Sequence, residues 1–370
     1  GTNDAPTITA VKEGRDITEG NGNHQANGNI TFADVDLLDN NHSKSFEPKG
    51  EGYVGLFEAT GIVSNKAHWR FTASKGDLDH LAKDQVLEQK YDYHISDGNG
   101  GRVTKEVTIT ITGTNDGPVV SGGLSAVAAE GSGVQVVDLL EGASDVDAGA
   151  ELSFKSGSLQ VFELDADGHV QGGAVNHAKY GIGRSGNELK LDTDHTNFGS
   201  LADGESKQLR VKYQIQDEHG APVSQFVDIT ITGTNDGPVL GNVTDRGSIV
   251  EGNGSRLAKG DIYFSDVDLS DVHEVSYTPV GNENNTFVGK IYTRGGADGS
   301  DLDNGHLNWG FLVQRDEIDH LSAGQKVTQV YTVKIQDSSG GFVEQDVTIT
   351  ITGTNDAPTI TAVKEGRDIT

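Results

Sequence analysis

The chain contains no cysteine and no methionine. Disulfides therefore cannot hold it, and small domains needing a staple beyond their packing would have to use a metal. No apolar run approaches the roughly 18 residues that cross a bilayer as a helix. No signal peptide opens the chain, although neither absence bears on a longer parent protein. No segment keeps a helical apolar period beyond about two turns. Positive charge is scarce: 28 basic residues stand against 56 acidic ones, a net charge of −28. A nucleic-acid partner is excluded, because it needs a basic footprint. Adsorption to anionic lipid is disfavoured on the same ground. Two readings of the acids remain, a solvated surface or a gathering around a hard cation, and position has to decide between them.

What the chain has instead is repetition. Gly-Thr-Asn-Asp-Gly-Pro at 113–118 returns at 233–238 and, with Ala before the Pro, stands at 1–6 and 353–358. The copies are 112, 120 and 120 residues apart. The later three each follow an alternating run, at 107–112, 227–232 and 347–352. A strand ends there, and the Pro forbids its simple continuation. A period this long, closed by a strand, predicts tandem domains rather than a thin solenoid. The expected repeats are 1–116, 117–236 and 237–356, each large enough for its own core. Residues 353–370 repeat 1–18 letter for letter, so the chain is expected to be cut from a longer array, with 357–370 starting a further repeat. The 50 glycines and 34% hydrophobic residues suit a turn-rich all-β protein.

Each unit presents the same features in the same order. A short apolar strand is followed by Glu-Gly at Glu19, Glu130 and Glu251, then by a second strand leading to Asp-Val-Asp at 34–36, 145–147 and 266–268. The middle of the unit varies. Units one and three then read Leu-Asp-His-Leu and Ile-Asp-His-Leu, with Asp79 and Asp319, whereas unit two is looser and Asp192 and Asp194 compete for that role. An alternating strand carries Tyr91, Tyr93 and Ile95, in line with Val211, Tyr213 and Ile215 and with Tyr331, Val333 and Ile335. Period two with one apolar side is a half-buried strand. A hairpin opening on Asp97, Asp217 or Asp337 leads into the closing strand. About seven short strands per unit predict an Ig-like β-sandwich, three in tandem.

Singly, each recurrent acid reads as a turn residue. Together they do not, because loops of a sandwich gather at its two ends. Counting strands places Asp-Val-Asp and the last-hairpin Asp beside the preceding junction. It places Glu-Gly and the Asp before His-Leu beside the following one. Asn115 and Asp116 would then face acids from both neighbours, and several carboxylates within about 5 Å repel by roughly 1 kcal/mol per pair even in water. Carboxylate, Asn carbonyl and backbone oxygens suit calcium.

Glu-Gly after the Pro, then Asp-x-Asp, then a closing Thr-Asn-Asp-x-Pro resemble the calcium-linked repeats of cadherins. The second half of each unit, with Leu-Ala-x-x-Gln, Tyr-x-Ile-x-Asp-Gly and the closing Val-Thr-Ile-Thr-Gly-Thr-Asn-Asp-x-Pro run, resembles more closely the VCBS-type, cadherin-like repeats of giant bacterial RTX adhesins. The resemblance covers the whole chain three times over. It implies Ca2+ at each junction, type I secretion, and display at the bacterial surface as a stalk that holds distal binding domains away from the cell. Carried over by position, the junction at 113–118 would take Glu19 and Asp79, Asn115 and Asp116, and Asp145, Asp147 and Asp217. The junction at 233–238 would take Glu130, Asn235, Asp236, Asp266, Asp268 and Asp337. Two half-sites remain, Asn3, Asp4, Asp34, Asp36 and Asp97 at one end and Glu251, Asp319, Asn355 and Asp356 at the other. The expected partners are neighbouring repeats of a monomeric chain, with any host or biofilm ligand elsewhere in the parent. No membrane insertion is expected in this segment. The alternative is a glycan- or protein-binding module, which an exposed cluster around Trp69 or Trp309 would favour.

Two other acidic loops stand out. Gly295 to Asp303 resembles the nonapeptide calcium repeat, but in one copy, and a β-roll needs stacked copies. Asp165-Ala-Asp-Gly starts like an EF-hand loop yet has Asn176 where the Glu should stand. Enzyme signatures are missing: there is no Gly-x-Ser-x-Gly, phosphate loop or His-Glu-x-x-His. His80, His195 and His320 each follow an Asp, and are read as surface or edge residues. Trp69 and Trp309 are read as core.

Overall fold

The computed structural model of the protein describes residues 2–14, 16–20, 22, 24–36, 41–252, 256–281, 286–294, 305–358 and 360. It is almost entirely β. The buried apolar residues form three separate cores, one between Ile17 and Ile111, one between Leu139 and Ile231, and one between Ile249 and Ile351. Among the described residues no helix is long and apolar enough to cross a membrane.

The first core lies between two four-stranded sheets. One runs, in spatial order, Thr7–Lys12, Gln25–Ala33, Lys66–Thr72 and Leu56–Val63; the other runs Ile17–Thr18, Arg102–Thr112, Val86–Ser96 and Ser43–Pro48. The third core repeats this order with Val239–Val243, Leu257–Ser265, His306–Leu312 and Lys290–Arg294 facing Arg246–Val250, Phe342–Thr352, Lys326–Gln336 and Glu274–Gly281. The alternating runs explain the layering: Tyr91, Tyr93 and Ile95 point inward and are buried, while Lys90 and Asp92 face out and His94 is covered by Glu47 and Thr104. Trp69 and Trp309 are each only 1% exposed, so both belong to the cores. Gly28 and Gly260 make room for them: a Cβ on either would stand within 2.7 Å of the indole.

One feature of the topology positions the site. After its first strand the chain crosses to the other sheet and pairs parallel with the closing strand, Ile17 opposite Ile111 and Ile249 opposite Ile351. Unit two does the same, with Ala128 opposite Ile231. Parallel strands point the same way, so the next residue emerges where the closing strand ends. That residue is the Glu. Its amide donates to the last strand carbonyl in all three units, Glu19 to Thr112 at 2.9 Å, Glu130 to Thr232 at 2.8 Å and Glu251 to Thr352 at 2.9 Å.

Among the described residues units one and three have eight strands each, close to the expected seven, and unit two departs from their arrangement. Its main sheet runs Leu124–Ala129, Pro222–Thr232, Ser206–Gln216, Gln160–Leu164 and Val170–Val175, and Val134–Asp138, Glu188–Asp192 and Ile182–Ser185 form a separate small sheet. With no Trp, its core is filled by Tyr180, Leu189, Leu191 and Phe198. Asp165 heads a hairpin turn between two strands, accepting from the amides of Asp167 at 3.0 Å and His169 at 2.8 Å, so the loop is not flanked by EF-hand helices. The Gly295–Asp303 loop lies outside the described residues.

A polar cluster locks the edge of unit two. Glu163 accepts from Lys179 at 2.7 Å, Tyr180 at 2.5 Å and Lys207 at 3.0 Å. The bonds from Lys179, Tyr180 and Lys207 bring its carboxyl from an ordinary 4.5 down to about 2. A carboxylate with a lowered folded pKa stabilises the fold above its unfolded pKa, and the contribution disappears as pH falls through the folded value. Glu163→Gln should therefore cost about 1–3 kcal/mol at pH 7. In urea unfolding the difference between the two proteins should close between about pH 4.5 and 2; a pH-independent difference would mean that packing, not charge, is what Glu163 supplies.

Candidate metal centres at the domain junctions

The tripeptide Thr-Asn-Asp has three outward donors, and each finds a different carboxylate. The Thr114 amide donates to Glu19 Oε2 at 2.8 Å. The Asn115 side chain donates to Asp217 Oδ2 at 2.9 Å. The Asp116 amide donates to Asp147 Oδ2 at 3.0 Å. The first acid belongs to the unit before the junction and the other two to the unit after it. At the second junction Asn235 donates to Asp337 at 3.3 Å and the Asp236 amide to Asp268 at 2.8 Å, while Thr234 serves Glu130. The two ends of the chain repeat the halves: Asn3 reaches Asp97 at 3.1 Å and the Asp4 amide Asp36 at 2.7 Å, and the Thr354 amide reaches Glu251 at 2.8 Å.

Local structure sets up each acid. In Asp-Val-Asp the first Asp is a turn former, accepting the amide of the second at 3.0 Å in Asp34, 3.1 Å in Asp145 and 3.1 Å in Asp266. That turn is what aims Asp36, Asp147 and Asp268 at the linker. Asp34 and Asp266 also hold a histidine, His42 at 3.1 Å and His273 at 2.9 Å. The last-hairpin Asp is fixed through Oδ1 by its own loop, by Gly101, Ala221 or Gly341 at 2.8–2.9 Å, which leaves Oδ2 for the linker Asn. At Gly101 and Gly341 a Cβ would crowd the Asp carboxylate and the linker, with Ala5 Cα 2.7 Å and Asn235 Nδ2 2.7 Å away, whereas unit two accommodates Ala221 at the same place.

The last-hairpin acids have both oxygens satisfied, but the other carboxylates keep one oxygen stranded. Glu19 Oε1, Asp116 Oδ2, Asp145 Oδ2 and Asp147 Oδ1 are buried with no hydrogen-bond donor, as are Glu130 Oε2, Asn235 Oδ1 and Asp268 Oδ1 at the second junction. Glu251 Oε1 is left the same way at the downstream end of unit three. Glu19 is only 4% exposed and Asp268 2%. Single oxygens of Glu19, Asp79 and Asp116 lie within 4.8 Å of one another, and so do those of Asp266, Asp271 and Asp337. Burial, and then the charges of Asp116, Asp147 and Asp79, push the Glu19 carboxyl up. Burial and neighbouring acids do the same to Glu130, Asp147 and Asp268. Asp97 and Asp217 go the other way: burial works upward on both, but the linker Asn and the loop amides outweigh it. Lys75 answers part of the charge at the first junction, 3.4 Å from Asp116 and 3.8 Å from Asp79.

One expected role is corrected. Leu81, Leu201 and Leu321 are equivalent: each amide bonds three residues back, to Leu78, Phe198 and Ile318, and each carbonyl packs near Gly113, Gly233 or Gly353. Counting from these leucines, Asp79 corresponds to Gly199 in unit two, not to Asp192 or Asp194. Asp192 closes a strand opposite Val134, and Asp194 accepts from Gly133 at 3.3 Å. His195 is likewise not the counterpart of His80 and His320; Ser200 is. Asp319 pairs with Arg315 at 3.2 Å. The site residue that sequence reasoning missed is Asp271, three positions beyond Asp268.

No family model matches the chain, and no curated protein matches its sequence. Solved structures do. The chain is similar to protocadherin gammaB7 EC3-6, in a cis-dimer structure, at 13% identity and TM-score 0.47, over 94% of this chain and 77% of that one. It is similar to protocadherin gamma B2 EC1-5 at 13% identity and TM-score 0.45, over 96% and 61%. It is similar to mouse cadherin-23 EC22-24 at 12% identity and TM-score 0.39, over 95% and 99%. The sandwich architecture stands on the sheets and cores described above.

The stranded oxygens predict a sign. Asn in place of Asp147 keeps an acceptor for the Asp116 amide and removes one buried charge. In chelator, Asp147→Asn should therefore raise the unfolding midpoint, whereas loss of stability would show that the charge is already compensated within the protein.

Proposed function

We propose that the chain is a calcium-stiffened extender, three repeats divided at 116/117 and 236/237, within the stalk of a large bacterial surface adhesin of the RTX type. The supporting observation is the set of buried, unpartnered carboxylate oxygens at each Thr-Asn-Asp linker. They are hard donors, crowded and negatively charged, and such a set fits calcium better than any softer metal. Glu19, Asp79 and Asp116 would hold an ion on the unit-one side of the first junction, with Asn115, Asp145, Asp147 and Asp217 completing the junction on the unit-two side. Glu130, Asn235, Asp236, Asp266, Asp268 and Asp337 would serve the second. The bound ion supplies positive charge shared by two units. The protein supplies the positioning: Glu19 is pinned by the strand end, Asp147 by its turn and Asp217 by its hairpin.

Shape is the function on this reading. Strands of about ten residues make each unit roughly 30–40 Å long, so three would extend on the order of 100–120 Å. Pro118 and Pro238 restrict the linkers but leave torsions free. Without cation the acids of adjacent units repel; with it they are joined. An extracellular stalk of this kind would be pliable where calcium is low and stiff outside the cell. The glycan- or protein-binding alternative loses its stated support, because both tryptophans are core.

Small-angle scattering tests the reading on the whole chain. The distance distribution should be narrow and rod-like in calcium and broaden in chelator, and Asp116→Ala, Asp145→Ala, Asp147→Ala combined should stay broad in both. Identical curves in the two buffers, with the units folded in each, would contradict it.

A further inference from the structure

The two internal junctions are not built alike: the upstream side of the second lacks a carboxylate that the first has. On the upstream side of the first junction stand Glu19 and Asp79; on that side of the second stand Glu130 and, at the Asp79 position, Gly199. The loss is confined to the side chain. A Cβ on Gly199 would lie 3.4 Å from Glu130 Oε1, an ordinary contact, and the residue does not adopt a positive φ. Charges acting on Glu19 come from Asp116, Asp147 and Asp79, whereas those on Glu130 come from Asp236 and Asp268 alone.

The downstream sides also differ. Asp271 and Ala150 are equivalent, since each donates its amide at 3.2 Å to the second Asp of Asp-Val-Asp, Asp268 and Asp147 respectively. Asp271 Oδ2 is buried without a donor, and it clusters with Asp266 and Asp337 inside unit three. Unit two has Ala150 there; its additional acid, Glu218, acts on Asp147 but accepts from the Glu151 amide at 2.9 Å. The first junction also carries a direct link between units, the Ala148 amide donating to the His80 carbonyl at 3.1 Å. Among the described residues no such bond joins Leu269 to Ser200.

We propose that Gly199 makes the second junction the weak joint of the array. Resting on the calcium reading above, this means that the first junction grips its upstream unit with three carboxylates, Glu19, Asp79 and Asp116, and closes at low calcium. The second grips its upstream unit with two, Glu130 and Asp236, and closes only at higher calcium. Asp271 keeps the remaining cation on unit three, where it joins nothing to unit two. Ligand charge count is a principal determinant of affinity at such sites. The midpoints of the two closures should therefore differ by about tenfold in free calcium. The array would stiffen in two steps, with a hinge between units two and three in the interval.

The chain has no cysteine, so spin labels can be placed at will. Cysteines at the exposed Val63 and Val136 would report the first junction, and at Val170 and Phe342 the second. The width of the electron–electron distance distribution is followed against free calcium in the full chain. The expected result is narrowing at the first junction at about one tenth of the calcium needed at the second. Gly199→Asp should bring the second midpoint down toward the first, while Gly199→Asn, equal in size and uncharged, should do so much less. Asp79→Asn should raise the first midpoint and leave the second alone. Circular dichroism of each variant establishes that the sandwiches are intact. Narrowing of both junctions at one calcium concentration, unmoved by Gly199→Asp, would overturn the asymmetry and leave the calcium reading standing. Failure of either junction to narrow at any calcium concentration would overturn both.

Discussion

A buried carboxylate with one oxygen satisfied and the other stranded is the constraint on which this molecule turns. Three donors of a Thr-Asn-Asp linker reach three acids from two different units, Glu19, Asp147 and Asp217, each of which its own unit already holds in place. The bonds position the acids without neutralising them. Leaving a buried polar atom unpaired is costly, and leaving a buried charge unpaired is more so. Glu19 and Asp147 respond by holding their protons more tightly than exposed acids would. A small hard cation relieves the same strain more completely, because it serves several oxygens at once.

The sheet topology supplies the means. Glu19 and Thr114 are far apart in sequence, yet the crossing from one sheet to the other places the Glu beside the end of the closing strand. The remaining acids come from loops at the opposite end of the next sandwich. Every unit therefore carries acids at each end, and repeated units bring two such sets together wherever they meet. On the proposed reading function resides in the joints, while the cores, built on Trp69, Phe198 or Trp309, keep the ends at a fixed separation.

Much of this was readable from the letters, because repetition removes coincidence. The Glu after the first strands, Asp-Val-Asp, the last-hairpin Asp and the linker pair recur at matching places, and the strand count sends each to the correct end. What the letters hid were the two exceptions. Asp194-His195 imitates the Asp79-His80 pair, but unit two reshapes the preceding segment into a small sheet and a 3-10 turn, His177–Tyr180, which displaces the motif. Counting back 34 residues from Gly113 and Gly233 would have found Asp79 and Gly199 directly, because Leu81 and Leu201 are held at a constant spacing from those glycines. Asp271 lies beyond the end of its motif, where unit two has Ala150, so no repeated letter marked it. In both cases the backbone kept the pattern and one side chain departed from it.

The most direct test of the central claim is diffraction from crystals of the whole chain grown in calcium, with anomalous differences collected. Peaks at both internal junctions, in contact with Glu19 and Asp116 at the first and with Asp236 and Asp268 at the second, are the predicted result. Junctions filled by water, or by the Lys75 ammonium, at millimolar calcium would contradict the account.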